Sequence, residues 1–519
     1  MKVKIGIAVF VVALGFTMFC SVAPVSNLNA QNVAATHHTF IPHSRANREL
    51  IHPGALDSVH HFDSVHHSEH GNFLDWNGDG NADFLTFHGY KSPAGQWSIR
   101  FWQSNGRQPP GWPTFQDITD SILGPALKNA QGYPDEDVFL DAYVICPLDV
   151  DGDGDVDLVL GRQNREDVIV VFNSLTGRFE SSRPFAATSN HTSEYFPLSP
   201  VRWTTGMDVA DLNDDGWLDM VATYRDAHSR VFLSDQAGDF FAVADLEHPW
   251  FEEAHAYPGN GGRQILLRDL DNDGDKDIVL TRTNASDPEN TAYIPRVYIY
   301  LNTNNPTWPI YEFGYALNPA EPYVDDTDLA SPSLQVSLAD LNGDGFLDLV
   351  QPMMNTAKAV SGAHGDYRTR IYLNDGTGNL GGADHRPDEM LGRFDLKPER
   401  LGIAAHAGLG DFDGDGDIDI VLSHLNAWTQ PDRLVLDRVY ANDGRGGFYS
   451  ALQKNGTKLV EFLPLNPVNL EVPQDNTRYI RPADLNGDGK LDLIMTNFDP
   501  TAPAKYGLPN VRVIWNRSP

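Results

Sequence analysis

Four acidic side chains at Asp149, Asp151, Asp153 and Asp157, with Gly154 between the third and fourth, have the spacing of an oxygen cage for a hard cation. Ca²⁺ takes six to eight oxygen ligands, and a tight loop offers them from alternate residues when a glycine relieves the turn. The pattern recurs at Asp75, Asn77, Asp79 and Asp83; at Asp211, Asn213, Asp215 and Asp219; and at Asp269, Asp271, Asp273 and Asp277. It recurs again at Asp340, Asn342, Asp344 and Asp348; at Asp411, Asp413, Asp415 and Asp419; and at Asp484, Asn486, Asp488 and Asp492. One such loop is compatible with an acidic turn that binds nothing. Seven that agree at every ligand position and at the sixth-position glycine point to up to seven structural Ca²⁺ ions. Three or four carboxylates in nine residues repel one another unless a cation neutralises them. Ligand sets this complete leave little open coordination for a catalytic water.

Short apolar stretches flank every loop and would position it. Tyr143–Leu148 precedes the second loop, and Leu158–Leu160 and Val168–Phe172 follow it. The same order is kept in the other units, each reading strand, ion loop, strand, polar link, strand, tight turn, strand. Asn374-Asp-Gly-Thr-Gly378 and Asn442-Asp-Gly-Arg-Gly446 carry the chemistry of the tight turns. First aspartates lie 58 to 74 residues apart, so a supersecondary unit repeats at a near-constant period. Four short strands per unit predict an all-β chain folded as a seven-bladed β-propeller of four-stranded blades, each with a Ca²⁺-binding loop between its first two strands. The seventh unit ends too soon after Trp515 for a fourth strand. A segment within residues 31–74, near His38–Pro42, is expected to supply it and close the ring.

The chain of 519 residues begins with Met1-Lys2-Val3-Lys4 and an apolar run from Ile5 to Phe19, the length of a signal peptide. Residues 1–30 are expected to be removed near Ala30, leaving 31–519 as one secreted, extracellular or periplasmic domain with no membrane span. The competing reading is a retained anchor. Cys146 would be the one cysteine left, so bound ions rather than disulfides would stabilise the exported fold. A formal net charge of −33 argues against a nucleic-acid partner, whose binders need basic stripes. The two runs Asp57–His61 and Asp63–His67, with His70, could ligate a transition metal. A local duplication in a surface segment explains them more simply.

If the ion loops share one face, the connections of variable length lie on the other. These are residues 104–138, 180–201, 242–262, 303–332, 380–402 and 451–476 between units, and 353–368, 424–435 and 498–509 within them. Such loops carry binding groups on rigid scaffolds. They hold Trp112, Tyr133, Tyr195, Trp250, Tyr257, Tyr323, Tyr367 and Trp428, and Trp203 stands just past the end of 180–201. Arg263 and Arg478 each precede their loop by six residues, and His406 and Tyr479 by five, so each pair should occupy equivalent places on inner strands. With His255 and Tyr257 they could hold an anionic or sugar-like ligand near a central funnel. Pairing with the abundant acids and packing between blades explains any one of them more simply.

The motif Asp-x-[Asp/Asn]-x-Asp-Gly-x-x-Asp, repeated at this period between apolar strands, resembles the FG-GAP or VCBS-type repeat over nearly all of the mature chain. That repeat builds the seven-bladed head of integrin α chains and many bacterial secreted proteins. The resemblance implies Ca²⁺ at the first, third, fifth and ninth positions of each loop. The integrin Phe-Gly and Gly-Ala-Pro signatures are not evident, and no stalk follows. The expected function is a calcium-stabilised, monomeric binding or adhesion module for a glycan or protein on the face opposite the ions. The alternative is a secreted carbohydrate-active enzyme, similar to propeller polysaccharide lyases, using His255, Tyr257, Arg263, His406, Arg478 and Tyr479. No Gly-x-Ser-x-Gly, His-Glu-x-x-His or phosphate-cradling loop is present.

Overall fold

The computed structural model describes residues 72–74, 81, 83–87, 99–104, 106, 115–185, 202–224, 229–246, 262–282, 297–302, 311–317, 335–352, 369–385, 388–391, 403–412, 414–425, 438–442, 444–445, 448–450, 477–485, 489–497 and 511–514. The expected leader, the closing segment near His38–Pro42 and the His-rich run lie outside them.

The regular structure of the described residues is almost entirely antiparallel strand, in successive meanders. The first contains β1 (Asn72–Leu74), β2 (Asp83–Phe87), β3 (Ile99–Ser104) and β4 (Phe115–Asp117). The second contains β5 (Ala142–Leu148), β6 (Asp157–Arg165), β7 (Val168–Asn173) and β8 (Arg178–Pro184). The third contains β9 (Arg202–Ala210), β10 (Asp219–Tyr224), β11 (Arg230–Ser234) and β12 (Phe240–Asp245). The fourth contains β13 (Gly262–Arg268), β14 (Asp277–Arg282), β15 (Val297–Asn302) and β16 (Tyr311–Ala316). Then come β17 (Ser337–Ala339), β18 (Asp348–Gln351), β19 (Thr369–Tyr372) and β20 (Glu389–Leu391), followed by β21 (Ile403–Gly410), β22 (Asp419–Leu425), β23 (Arg438–Asn442) and β24 (Phe448–Ser450). The last meander has three described strands, β25 (Thr477–Ala483), β26 (Asp492–Asn497) and β27 (Val511–Ile514).

Consecutive meanders pack face to face, and the side-chain alternation of the second strands shows how. Leu158 and Leu160 join Phe101 and Leu85 in one core cluster, whereas Val159 between them joins Met220 and Phe232 in the next. Val221 likewise packs with Ile265 and Ile278, Val279 with Leu349 and Tyr372, and Val350 with Ile420 and Leu422. A strand buried on both faces reads as a continuous apolar run rather than an alternating one. Leu158-Val-Leu160, Ile278-Val-Leu280 and Ile420-Val-Leu422 are such runs. The result is a curled, propeller-like array with apolar cores between repeats.

Two departures from the sequence reading have physical causes. The stretch 104–138, expected as a connection, contains β4 and two helical turns, α1 (Thr119–Ile122) and α2 (Glu136–Phe139). Asp135 caps α2 by accepting the Asp137 N–H, and Ile122, Leu127 and Phe139 are buried in the first core. The connections containing 311–316 and 389–391 also hold fourth strands, too short or too mixed in polarity to stand out. In addition, β6 runs past its meander and pairs with the first strand of the next, Gln163 opposite Trp203 and Arg165 opposite Arg202. Repeats 2 and 3 thereby form one continuous sheet.

Candidate functional site

Each acidic loop joins the first strand of a meander to the second. The position-nine aspartates are the most buried acids among the described residues: Asp83, Asp157, Asp219, Asp277, Asp348 and Asp492 are 0 % exposed and Asp419 1 %. Their carboxylates fasten backbone. Oδ2 accepts the N–H of the loop's second residue, from Val150 to Asp157, Leu212 to Asp219, Leu270 to Asp277, Leu341 to Asp348, Phe412 to Asp419 and Leu485 to Asp492, at 2.9–3.1 Å. Oδ1 accepts an N–H near the end of the third strand, from Ser104, Phe172, Ser234, Asn302, Asn374 and Asn442 to the first six aspartates in turn, at 2.7–2.9 Å. One side chain therefore ties loop, second strand and third strand together.

The first aspartate shapes the turn from within. Its Oδ2 accepts the N–H of the sixth-position glycine in six loops, as from Gly154 to Asp149 at 2.9 Å and from Gly274 to Asp269 at 3.1 Å. Those glycines have φ of 84–104°, a region L-residues avoid. The carboxylates of positions one, three and five then converge. One oxygen from each of Asp149, Asp151 and Asp153 lies within 4.8 Å of the others, and the same holds for Asp269, Asp271 and Asp273.

These residues fit a divalent cation. Asp269 Oδ1 and Asp275 Oδ2 are buried with no hydrogen-bond donor, an arrangement that a cation relieves. Like charge and burial raise the pKa of Asp153, Asp271 and Asp275, with burial the larger cause. Asp75, Asn77, Asp79, Asp413, Asn486 and Asp488 lie outside the described residues.

Burial pushes the carboxyls of Asp157, Asp219 and Asp277 up to about 7 and that of Asp348 to about 6, against the pull of their two backbone hydrogen bonds. In the unfolded chain these groups titrate near 4. Between the two values the fold holds protons that the unfolded chain has released, so ion-free stability falls as pH rises. Protein stripped with EGTA is expected to melt at a higher temperature at pH 5 than at pH 8. Saturating Ca²⁺, which favours the ionised carboxylates, should shrink that difference. A flat ion-free profile from pH 5 to 8 would contradict this assignment.

Adjacent loops touch one another. Trp217 of the third loop packs on Gly152 of the second, leaving no room for a Cβ there. Asn272 Nδ2 donates to the Gly345 carbonyl of the next loop at 3.4 Å. The turn glycines Gly238 and Gly378 cover Asp151 and Asp271 of the preceding repeat, where a Cβ would stand 3.3 Å from each aspartate Cβ. Asn374 Nδ2 donates to the Leu270 and Leu347 carbonyls, and Asn442 Nδ2 to those of Leu341 and Ile418. These asparagines staple each repeat to the loop before it. Their signal in the sequence is the recurrence of Asn at the end of the third strand.

At the opposite end of the inner strands, Arg263 and Arg478 occupy the same place. Each is the extra residue of a β-bulge, between Gly262 and Gln264 and between Thr477 and Tyr479. Arg263 Nη1 donates to Tyr143 Oη of repeat 2 at 3.5 Å. His406 and Tyr479 meet edge to face, 5.5 Å between ring centroids. The Ile480 N–H points to His406 Nδ1 at 3.5 Å, as the Val336 N–H donates to Gln264 Oε1 at 2.7 Å one repeat pair earlier. His406 thus stands where Gln264 bridges two repeats. Of the expected aromatics, Tyr133 is 42 % exposed and Trp203 is partly buried. His255, Tyr257, Trp112, Tyr195, Trp250, Tyr323, Tyr367 and Trp428 lie outside the described residues. Among the described residues no helix is long and apolar enough to cross a membrane.

Comparison with known proteins finds the FG-GAP-like repeat family at residues 149–222, 211–280, 269–350 and 411–495, together more than half of the chain. No curated protein matches. Among solved structures, the chain is similar to an Agrocybe aegerita lectin described as recognising non-reducing terminal N-acetylglucosamine, at 18% identity and TM-score 0.44, over 73% of this chain and 78% of that one. It is also similar to BBS1N in complex with ARL6DN, at 11% identity and TM-score 0.43 over 88% of this chain and 96% of that one, in a mercury-soaked crystal. The lead-soaked form gives 10% identity and TM-score 0.43 over 88% and 95%. At these scores the likenesses carry no inference about ligand.

Proposed function

The chain belongs to the FG-GAP-like repeat family, and from that premise we propose that it is a secreted, calcium-stabilised binding module for a glycan or a protein. In this reading residues 31–519 close into seven blades after loss of a leader ending near Ala30, with the segment 31–74 completing the last blade. Ca²⁺ would be held by the loop carboxylates at positions one, three and five, with position nine contributing from beneath, and would supply charge neutralisation and rigidity. The observation that supports a structural role is the double backbone clamp of the position-nine carboxylates, which makes each loop part of the strand framework. Ligand contacts then belong to the opposite face, at the start of the inner strands.

A lyase would need a histidine or tyrosine base beside an arginine that neutralises a uronate carboxylate. His406 is 8 % exposed and set between two inner strands, which favours a packing role over a proton-transfer one. Ca²⁺-loaded protein should therefore retain ligands on a glycan or extracellular-protein array without consuming them. Incubation with acidic polysaccharides should give no new absorbance from unsaturated uronates. Appearance of that absorbance, and its loss in His406→Ala, would establish the enzymatic alternative instead.

A further inference from the structure

The third and seventh positions of the acidic loops change together from one repeat to the next. Loops 2, 4 and 6 read Asp-x-Asp-x-Asp-Gly-Asp-x-Asp, with Asp155, Asp275 and Asp417 at the seventh position. Loops 1, 3, 5 and 7 have Asn at the third position, and Asn81, Trp217, Phe346 and Lys490 at the seventh. The alternation is strict along the chain. Each even loop therefore carries five aspartates, against three in loops 1, 5 and 7 and four in loop 3, where Asp214 is the fourth.

The backbone is alike in loops 2 to 5, left-handed at both the fourth and the sixth positions, so the difference lies in the side chains. In even loops Oδ1 of the third residue accepts the N–H of the fifth, from Asp153 to Asp151 at 3.3 Å and from Asp273 to Asp271 at 3.2 Å. In odd loops it does the same, from Asp215 to Asn213 and from Asp344 to Asn342, both at 3.0 Å. With Oδ1 fixed alike, the other atom of that side chain decides. In loops 2 and 4 it is a second carboxylate oxygen, and three carboxylates converge, with Asp269 Oδ1 left without a donor. In loops 3 and 5 it is the amide nitrogen, and Asn213 Nδ2 donates to Asp215 Oδ2 at 3.2 Å and Asn342 Nδ2 to Asp344 Oδ2 at 2.8 Å. Asp215 Oδ2 also accepts from Gln236 Nε2 at 3.0 Å. The seventh position follows the same division. Asp275 Oδ2 of loop 4 is buried with no donor, whereas Trp217 and Phe346 pack against Gly152 and Gly376.

We infer that the acidic loops form two alternating classes of Ca²⁺ site, tight in repeats 2, 4 and 6 and weaker in repeats 1, 3, 5 and 7. This rests on the calcium-stabilised reading and adds the order in which the loops fill. Affinity in oxygen-ligand loops is set by the charge of the ligands and the rigidity of the site. Rigidity is shared, since the position-nine clamp is the same in loops 2 to 5. Charge then decides. An added carboxylate repels its neighbours but attracts a divalent cation more strongly, because the cation carries two charges. In loops 3 and 5 the amide on the fifth carboxylate also competes with a cation for that oxygen. Three ions are therefore taken up first and four at higher calcium. Every weak loop has a tight loop as its neighbour in the chain, so partly loaded protein keeps an ion in or next to each repeat.

The test is equilibrium dialysis of the full chain against radioactive calcium over a buffered range of free Ca²⁺. Binding is expected in two steps, three ions and then four, separated by about tenfold in free calcium. Asn342→Asp should change the split to four and three, and Asp271→Asn to two and five. Each variant installs the residue that the other class carries on the same backbone, and Asn342→Asp serves if Asp271→Asn fails to fold. Three ions and no more within the range reached also supports the division, provided Asn342→Asp raises the count to four. A single step, a split in other proportions, or counts that neither variant shifts overturns the two classes while leaving calcium in place. Absence of any bound calcium removes the calcium-stabilised reading itself, and the two classes with it.

Discussion

Stripping calcium with EGTA is expected to lower the melting temperature by about 10 °C, and adding Ca²⁺ back should restore it. An ion that binds only the folded state stabilises by about 1.4 kcal/mol when it is present at tenfold its dissociation constant. Seven loops acting independently would contribute roughly 10 kcal/mol, as much as the net stability of an ordinary domain. For a chain of this length the unfolding entropy is on the order of 1 kcal/mol per degree, which converts the two figures into each other. Independence is the conservative assumption. Loops that touch through Trp217 and Gly152, or through Asn272 and Gly345, should lose their ions together and steepen the transition. A melt that EGTA leaves unchanged would remove calcium from the account altogether.

Replacing a position-nine aspartate should cost more than replacing any other acidic residue of its loop. Asp277→Ala orphans the buried N–H groups of Leu270 and Asn302, and a buried donor left unsatisfied costs about 1–3 kcal/mol. At calcium saturation the expected loss is about 4 kcal/mol, or about 4 °C in melting temperature. In EGTA at neutral pH the loss persists but is smaller, because the cost of the buried charge disappears with its hydrogen bonds. Asp273→Ala provides the contrast. It removes one of three converging carboxylates, so it should cost about 1.4 kcal/mol in Ca²⁺ and nothing, or slightly less than nothing, in EGTA. If the two variants behaved alike in EGTA, position nine would be a ligand and no more.

The repeat was legible in the sequence because the loop motif and its flanking apolar runs are short-range patterns, and the doubly buried second strands reinforce them. The division of labour within the motif was not. A carboxylate is what both a cation and a pair of backbone N–H groups require, so the spacing of Asp277 cannot distinguish ligand from clamp. Arg263 and Arg478 were placeable by counting back from their loops. The partner of Arg263 was not, because Tyr143 lies 120 residues away and meets it through a bulge that leaves no mark in composition. The overrun of β6 into repeat 3 was hidden for a similar reason, since Gln163-Asn-Arg165 reads as a polar turn. His406 looked like a functional group and stands where Gln264 bridges two strands.

The double clamp also bears on how quickly an ion enters and leaves. With the loop's second residue and the third strand already fixed by one carboxylate, and the sixth-position N–H by another, the backbone need not rearrange to receive a cation. Capture should then be limited by the shedding of water from the ion and not by loop ordering. Differences in affinity among the loops would appear in residence time, with arrival rates nearly uniform. Stopped-flow release into a fluorescent chelator would show several dissociation phases, whereas refilling after a brief strip would follow one fast phase.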